Sequence, residues 1–100
     1  MIVCITATGD TLDSEIDPRF GRCNYFIFYD TETKNYEVFP NKWREAMGGA
    51  GNQAAQFVLE KGAKKVITGN LGPRAEAILK LAGIEVILTS GKVKDIINNL

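Results

Sequence analysis

Hydrophobic positions divide the chain into five short apolar segments and three amphipathic segments, separated by polar or glycine-rich turns. Residues 2–7 form a near-continuous apolar run, which is typical of a central strand buried on both faces. Residues 25–30 are aromatic and β-branched, and residues 36–39 follow after a short polar turn, so we predict two paired strands here. Two further short strands are predicted at residues 65–68 and 84–88.

The three amphipathic segments predict helices. Residues 52–61 carry apolar side chains at helical spacing and end before Gly62. The next helix begins at Pro73, because proline suits the first helical position, and it ends before Gly83. Residues 93–100 repeat the apolar spacing and form a short last helix. The predicted order of elements is therefore β-β-β-α-β-α-β-α.

This order predicts an α/β fold built on a five-stranded mixed sheet with helices on both faces. The first three strands form an antiparallel meander, and the fourth and fifth strands run parallel to the first because helices connect them. The loops that follow the first, third, fourth and fifth strands then lie on one edge of the sheet. Parallel strands joined by helices commonly bind ligands at this edge.

Two glycine-rich turns precede predicted helices and lie at this edge. One spans residues 47–52 (MGGAGN) and the other spans residues 68–73 (TGNLGP). Glycine lets a backbone approach a ligand closely, and a helix N-terminus presents free N–H groups with a partial positive charge. Together these features favour an anion-binding site. The candidate ligand-binding residues of the two turns are Gly48, Gly49, Gly51, Asn70 and Gly72.

The loop Asp17-Pro18-Arg19-Phe20-Gly21-Arg22-Cys23 is the most distinctive local string and is expected at the same edge. Arg19 and Arg22 are donors suited to anions, and the charge of Arg22 is expected to favour the thiolate of Cys23, the form that ligates metals. The alternative is an ordered surface loop held by an Asp–Arg pair, with Cys23 as a small apolar residue. Cys4 is expected to be a buried hydrophobe, and Met47 is either a soft metal ligand or a packing residue.

The composition narrows the possible functions. A chain of 100 residues with 45% hydrophobic and 24% charged residues predicts one domain, residues 1–100. Its net charge of +0 disfavours nucleic-acid binding, and no apolar run approaches the ~20 residues of a membrane span. The first ten residues lack the basic start of a secretion signal, so we expect a cytoplasmic protein. With no histidine, a hydrolase or other enzyme is disfavoured.

The strings D-P-R-F-G-R, G-G-A-G-N-Q-A-A-Q and V-I-T-G-N-L-G-P-R-A resemble the dinitrogenase iron–molybdenum cofactor biosynthesis family, which includes nitrogenase accessory proteins that carry cofactor precursors. The resemblance covers nearly the whole chain, and it implies a ribonuclease-H-like fold without nuclease activity. The predicted first strand and the end of the fourth strand also lack the carboxylates that a nuclease of that topology needs for its metal ions.

For the nitrogenase members, the resemblance implies binding of iron–sulfur or iron–molybdenum clusters. Many members carry histidines before the glycine turn, whereas residues 41–47 of this chain contain none, so Cys23 is the one recognised candidate metal ligand. Two functions follow as hypotheses. The first is a non-enzymatic carrier of such a cluster or its precursor, which exchanges it with a donor or acceptor protein as a monomer or homodimer. The second is a binding or regulatory module for a small anionic metabolite without metal.

Overall fold

The computed structural model describes residues 1–100 and has the predicted order of five strands and three helices. The elements are β1 Ile2–Ala7, β2 Tyr25–Asp30, β3 Tyr36–Pro40, α1 Ala50–Glu60, β4 Ala63–Thr68, α2 Pro73–Leu81, β5 Glu85–Leu88 and α3 Val93–Asn98. The observed bounds differ from the predicted ones by two residues at most. Helix α1 begins two residues earlier than predicted because Gly49, with φ 74°, turns the chain into the helix.

The five strands form one sheet in the order β3-β2-β1-β4-β5. Strand β1 pairs antiparallel with β2 and parallel with β4, so Cys4 lies between Phe28 and Val66. Strand β3 is antiparallel to β2, and β5 is parallel to β4. The predicted five-stranded mixed sheet is confirmed, while the ribonuclease-H-like label stays a prediction.

Helices α1 and α2 cover one face of the sheet, and the larger core lies beneath them. Phe57 of α1 is at the centre of an aromatic cluster, and its ring centroid lies 5.5–5.6 Å from those of Phe26, Phe28, Phe39 and Trp43. Edge-to-face contacts of this kind add to the stability that simple burial provides. The cluster fixes α1 above β2 and β3, and it thereby fixes where the N-terminus of α1 points.

The opposite face carries the smaller core, which α3 and part of the long loop after β1 cover. Val93 of α3 and Ile16 of the loop pack on Val3, Ile5 and Ile67 of the two central strands. Helices therefore lie on both faces, as predicted, with two on one side and one on the other. None of the three helices has the length and apolar character needed to cross a bilayer.

Candidate functional site

The N-termini of α1 and α2 open into a shared cavity of about 490 Å³ at the carboxyl edge of β1 and β4. Both glycine turns border this cavity, so the sequence correctly placed them at one edge of the sheet. The lining is formed by three chain segments: Pro18, Arg19, Phe20 and Gly21; Gly49, Gly51 and Asn52; and Asn70, Leu71, Gly72, Pro73, Arg74 and Ala75.

Neither helix has a side chain that caps its N-terminus. In α1 the first backbone bond runs from the Gln53 N–H to the Gly49 carbonyl at 2.9 Å, and in α2 it runs from the Glu76 N–H to the Gly72 carbonyl at 3.0 Å. The preceding N–H groups, those of residues 50–52 and 74–75, have no acceptor in the protein. Unpaired donors at two helix N-termini make this cavity suited to an anion.

A buried polar network holds the first of these segments, the loop of residues 18–21, against the sheet. The hydroxyl of Thr6 in β1 donates to the carbonyl oxygen of Asp17 at 2.7 Å, and it lies 2.7 Å from the Thr68 hydroxyl in β4. The Asp17 N–H donates to the Thr6 carbonyl at 2.8 Å. These three residues are fully buried, so the start of the loop is fixed to the ends of two adjacent central strands.

The Asp17 carboxylate in turn fixes the guanidinium of Arg19. Arg19 donates from Nε to Oδ1 and from Nη2 to Oδ2, both at 3.1 Å, and the N–H groups of Arg19 and Asn24 also donate to the same carboxylate. This hydrogen bonding and the negative charge raise the pKa of Arg19 above its ordinary value. The predicted Asp–Arg pair is present and holds Arg19 at the cavity, while the role of Arg19 as a donor to an anion stays a prediction.

Two glycines let the loop approach the other two segments closely. A Cβ on Gly21 would lie 2.6 Å from the Gly51 nitrogen, and a Cβ on Gly69 would lie 2.5 Å from the Pro18 Cα. Both distances are shorter than real Cβ contacts allow. The structure therefore requires glycine at position 21 for close packing against α1.

Cys23 does not lie at the cavity. It is fully buried in the larger core, and its sulfur accepts a hydrogen bond from the Asn41 amide nitrogen at 3.8 Å. Burial is the main cause that raises its pKa from 9.0 to about 12, and the negative charge of Asp17 adds to the effect. The expectation that Arg22 favours a thiolate facing the cavity is therefore wrong, and the alternative of a small apolar core residue describes Cys23. Cys4 is a buried hydrophobe, as expected.

Arg22, Gly48 and Met47 also lie outside the lining. The Arg22 guanidinium is turned away and donates to the carbonyl oxygen of Arg44 at 2.9 Å. Gly48 precedes the lining residue Gly49 and has no heavy atom within 4 Å of an added Cβ. Met47 is fully exposed, so it is not a packing residue, and it is absent from the cavity lining where a metal ligand was expected.

The sequence analysis missed three residues that shape the site. Asn52 and Arg74 lie in the first turns of α1 and α2 and line the cavity. Asn41 is 7% exposed and donates from its amide to the carbonyls of Gly21 and Cys23 at 2.9 and 3.0 Å, which fixes the end of the loop. The predicted helix starts were a signal that could have identified Asn52 and Arg74, whereas no local signal in the sequence indicates that the Asn41 amide is buried.

Fold and site together define a small α/β protein whose mixed sheet carries an anion-suited cavity between two helix N-termini. The chain belongs to the dinitrogenase iron–molybdenum cofactor family, whose model matches residues 1–100. An uncharacterized protein of Methanocaldococcus jannaschii is 34% identical over 77 residues. This match covers 74% of the present chain and 65% of the relative, so the chain spans slightly less than two thirds of that protein's length.

Two solved structures are similar in both fold and sequence. The apo form of the orange protein from Desulfovibrio gigas superposes with a TM-score of 0.90 at 36% identity, over 98% of this chain and 84% of that one. A NifB-like protein from Thermotoga, described as a member of the DUF35 family, superposes with a TM-score of 0.82 at 38% identity, over 97% and 84% of the two chains. The likeness thus covers the sheet, the helices and the segments that line the cavity.

Proposed function

We propose that this protein is a non-enzymatic carrier of an anionic metal–sulfide cluster, either an iron–sulfur or an iron–molybdenum cluster or a precursor of one. The observation that carries the proposal is the cavity between two uncapped helix N-termini, with Arg19 and Arg74 in its lining. Family membership supports a role in cofactor handling. The orange protein is described in an apo form, which supports a removable bound group in this fold.

The cargo is held by hydrogen bonds and charge rather than by side chains bonded to the metal. The lining contains backbone N–H groups, two guanidinium groups and two carboxamides, but no cysteine, methionine or carboxylate. Sulfide ligands of a cluster accept hydrogen bonds from such donors, and those bonds influence cluster properties. A cluster whose metals keep their own sulfide ligands can then pass to an acceptor without breaking a metal–protein bond.

A carrier of this kind has protein partners that supply and receive the cargo. We place these partners among the cofactor-biosynthesis proteins with which the family is associated, and we place the whole single-domain chain in the cytoplasm. The alternative function, a module for a small anionic metabolite, is favoured by the same absence of soft ligands in the lining. Metal analysis of protein isolated without oxygen separates the two, because only the carrier contains stoichiometric iron or molybdenum together with sulfide.

Gly72 offers a direct test of the anion site. Its φ of −72° and ψ of 161° are accessible to any residue, and nothing lies within 4 Å of an added Cβ. Aspartate is a preferred N-cap, so the carboxylate of Gly72→Asp satisfies the free N–H groups of α2 and adds a negative charge to the cavity. We expect Gly72→Asp to fold with wild-type stability or slightly better, yet to lose reconstituted cluster.

The assay is anaerobic reconstitution with iron and sulfide, with and without molybdate, followed by desalting and measurement of visible absorbance and bound metal. Gly72→Ala, which adds neither a cap nor a charge, is the matched control and is expected to load like wild type. Equal loading of Gly72→Asp and wild type would contradict capture at this cavity. No visible absorbance in wild type would contradict the carrier function and favour the metal-free module.

A further inference from the structure

The two arginines that line the cavity differ in their electrostatic state. Both oxygens of the buried Asp17 carboxylate accept hydrogen bonds from the Arg19 guanidinium at 3.1 Å, so the positive charge of Arg19 is balanced at short range. Arg74 is an exposed residue of the same lining, and it forms no ion pair with any acidic group of the protein. Arg74 therefore supplies the uncompensated positive charge of this cavity.

The position of Arg74 is unfavourable for the helix itself. It is the second residue of α2, where the positive end of the helix dipole disfavours a cation. The acidic residue in the same turn, Glu76, does not pair with it and does not line the cavity. A cation that opposes the helix dipole, has no ion-pair partner and belongs to the lining of a cavity is better explained by a bound anion than by stability.

We propose that Arg74 sets the charge selectivity of the cavity, so that the cavity holds a dianion in preference to a monoanion of the same size and shape. Each helix N-terminus contributes about half a positive charge, so the lining has a net charge of about +2 with Arg74 and about +1 without it. This inference rests on the proposed function, because it describes the cargo of the same site. It adds the charge class of the cargo and the residue that selects it.

The test uses two tetrahedral thiometallates that differ by one charge. Tetrathiotungstate is a dianion and tetrathiorhenate is a monoanion of nearly the same size, and both absorb visible light. At low ionic strength, the attraction between two unit charges is about 1 kcal/mol at contact distance. Removal of one lining charge therefore weakens the binding of a monoanion by about fivefold and that of a dianion by about thirtyfold. Arg74→Gln is therefore expected to reduce the preference for tetrathiotungstate about fivefold.

Two control variants separate charge selectivity from a general effect. Arg74→Lys keeps the charge, so it is expected to retain most of the preference. Lys80→Gln removes the same charge from the last turn of the same helix, outside the lining, so it is expected to match wild type. Dissociation constants from equilibrium dialysis under anaerobic conditions give the ratio for each protein.

The outcomes also distinguish this inference from the proposed function. If Arg74→Gln keeps the wild-type ratio of the two dissociation constants, or if wild type binds both anions equally, Arg74 does not set the selectivity. If wild type binds neither thiometallate, the inference is likewise overturned. The carrier function is then judged separately by reconstitution with iron and sulfide, which does not depend on Arg74 selecting between mononuclear anions.

Discussion

Replacing Gly21 with alanine is expected to destabilise the protein and to disturb the cavity at the same time. The added Cβ would lie 2.6 Å from the Gly51 nitrogen, 2.7 Å from the Gly51 Cα and 3.0 Å from the Ala50 carbonyl carbon. All three atoms belong to the backbone at the start of α1, so no side chain can rotate away to relieve the clash. Either the loop or the first turn of the helix must move.

The size of this effect follows from the cost of inserting one carbon into a closely packed backbone contact. Such overpacking typically costs about 1–3 kcal/mol. For a domain of this size, each kcal/mol lowers the melting temperature by about 4–8 °C. We therefore expect Gly21→Ala to melt at least about 4 °C below wild type. Because the Gly51 N–H borders the cavity, anion binding is expected to weaken as well.

Gly48→Ala is the matched control for this prediction. Gly48 is exposed, has no positive φ and has no atom within 4 Å of an added Cβ. Its substitution is expected to change the free energy of unfolding by no more than about 0.5 kcal/mol. Urea unfolding followed by circular dichroism measures both variants. If the free energy of unfolding of Gly21→Ala lies within about 0.5 kcal/mol of the wild-type value, the close approach of the loop to α1 is wrong.

Three further predictions concern the loop and the core. Asp17→Ala should lower the free energy of unfolding in urea by about 2–4 kcal/mol, because it leaves the donors of Arg19 and Asn24 without their acceptor. A single ordinary hydrogen bond contributes about 1 kcal/mol net, so a smaller decrease than that would contradict the network. Since burial raises the pKa of Cys23 to about 12, the stability from burying its neutral thiol should be present below about pH 9 and lost as the pH rises toward 12. Accordingly the thiol should react with a disulfide reagent at pH 8 only after unfolding, and Cys23→Ala should load cluster like wild type; rapid reaction of the native protein would refute its burial. Phe57→Leu should shift the fluorescence of the single tryptophan, Trp43, because their rings lie 5.5 Å apart, and an unchanged spectrum would show that this contact is absent.

The arrangement of strands and helices could be predicted from the sequence because each element carries its own local signal. Strands β1 and β2 have the predicted bounds, and α2 begins at Pro73 as predicted. The convergence of the two glycine turns followed from topology alone, since helical crossovers place the carboxyl ends of parallel strands at one edge. Periodicity, helix-start signals and connection rules were sufficient for this level of detail.

The side-chain arrangement of the site could not be predicted to the same extent. The sequence places Arg22 and Cys23 beside each other, and adjacency suggested that the cation activates the thiol. In the structure, however, Arg22 lies in an exposed turn, whereas Cys23 follows that turn and enters the core. Desolvation then raises the pKa of Cys23, and this effect outweighs a cation whose guanidinium is bonded elsewhere. The direction in which a loop side chain points depends on tertiary contacts such as those of Asn41.

Arg74 shows how a conflict with a local rule can direct attention to a candidate functional residue. A cation in the first turn of a helix opposes the dipole, an effect of about 0.3–1 kcal/mol at an exposed site. The sequence alone contains this conflict, because Pro73 marks the start of α2 and Arg74 follows it directly. An anion in the cavity removes the conflict, since it interacts favourably with the helix N-terminus and with the guanidinium together. The stability of α2 and the occupancy of the cavity are therefore coupled, and a ligand that binds there should stabilise the folded protein in proportion to its negative charge.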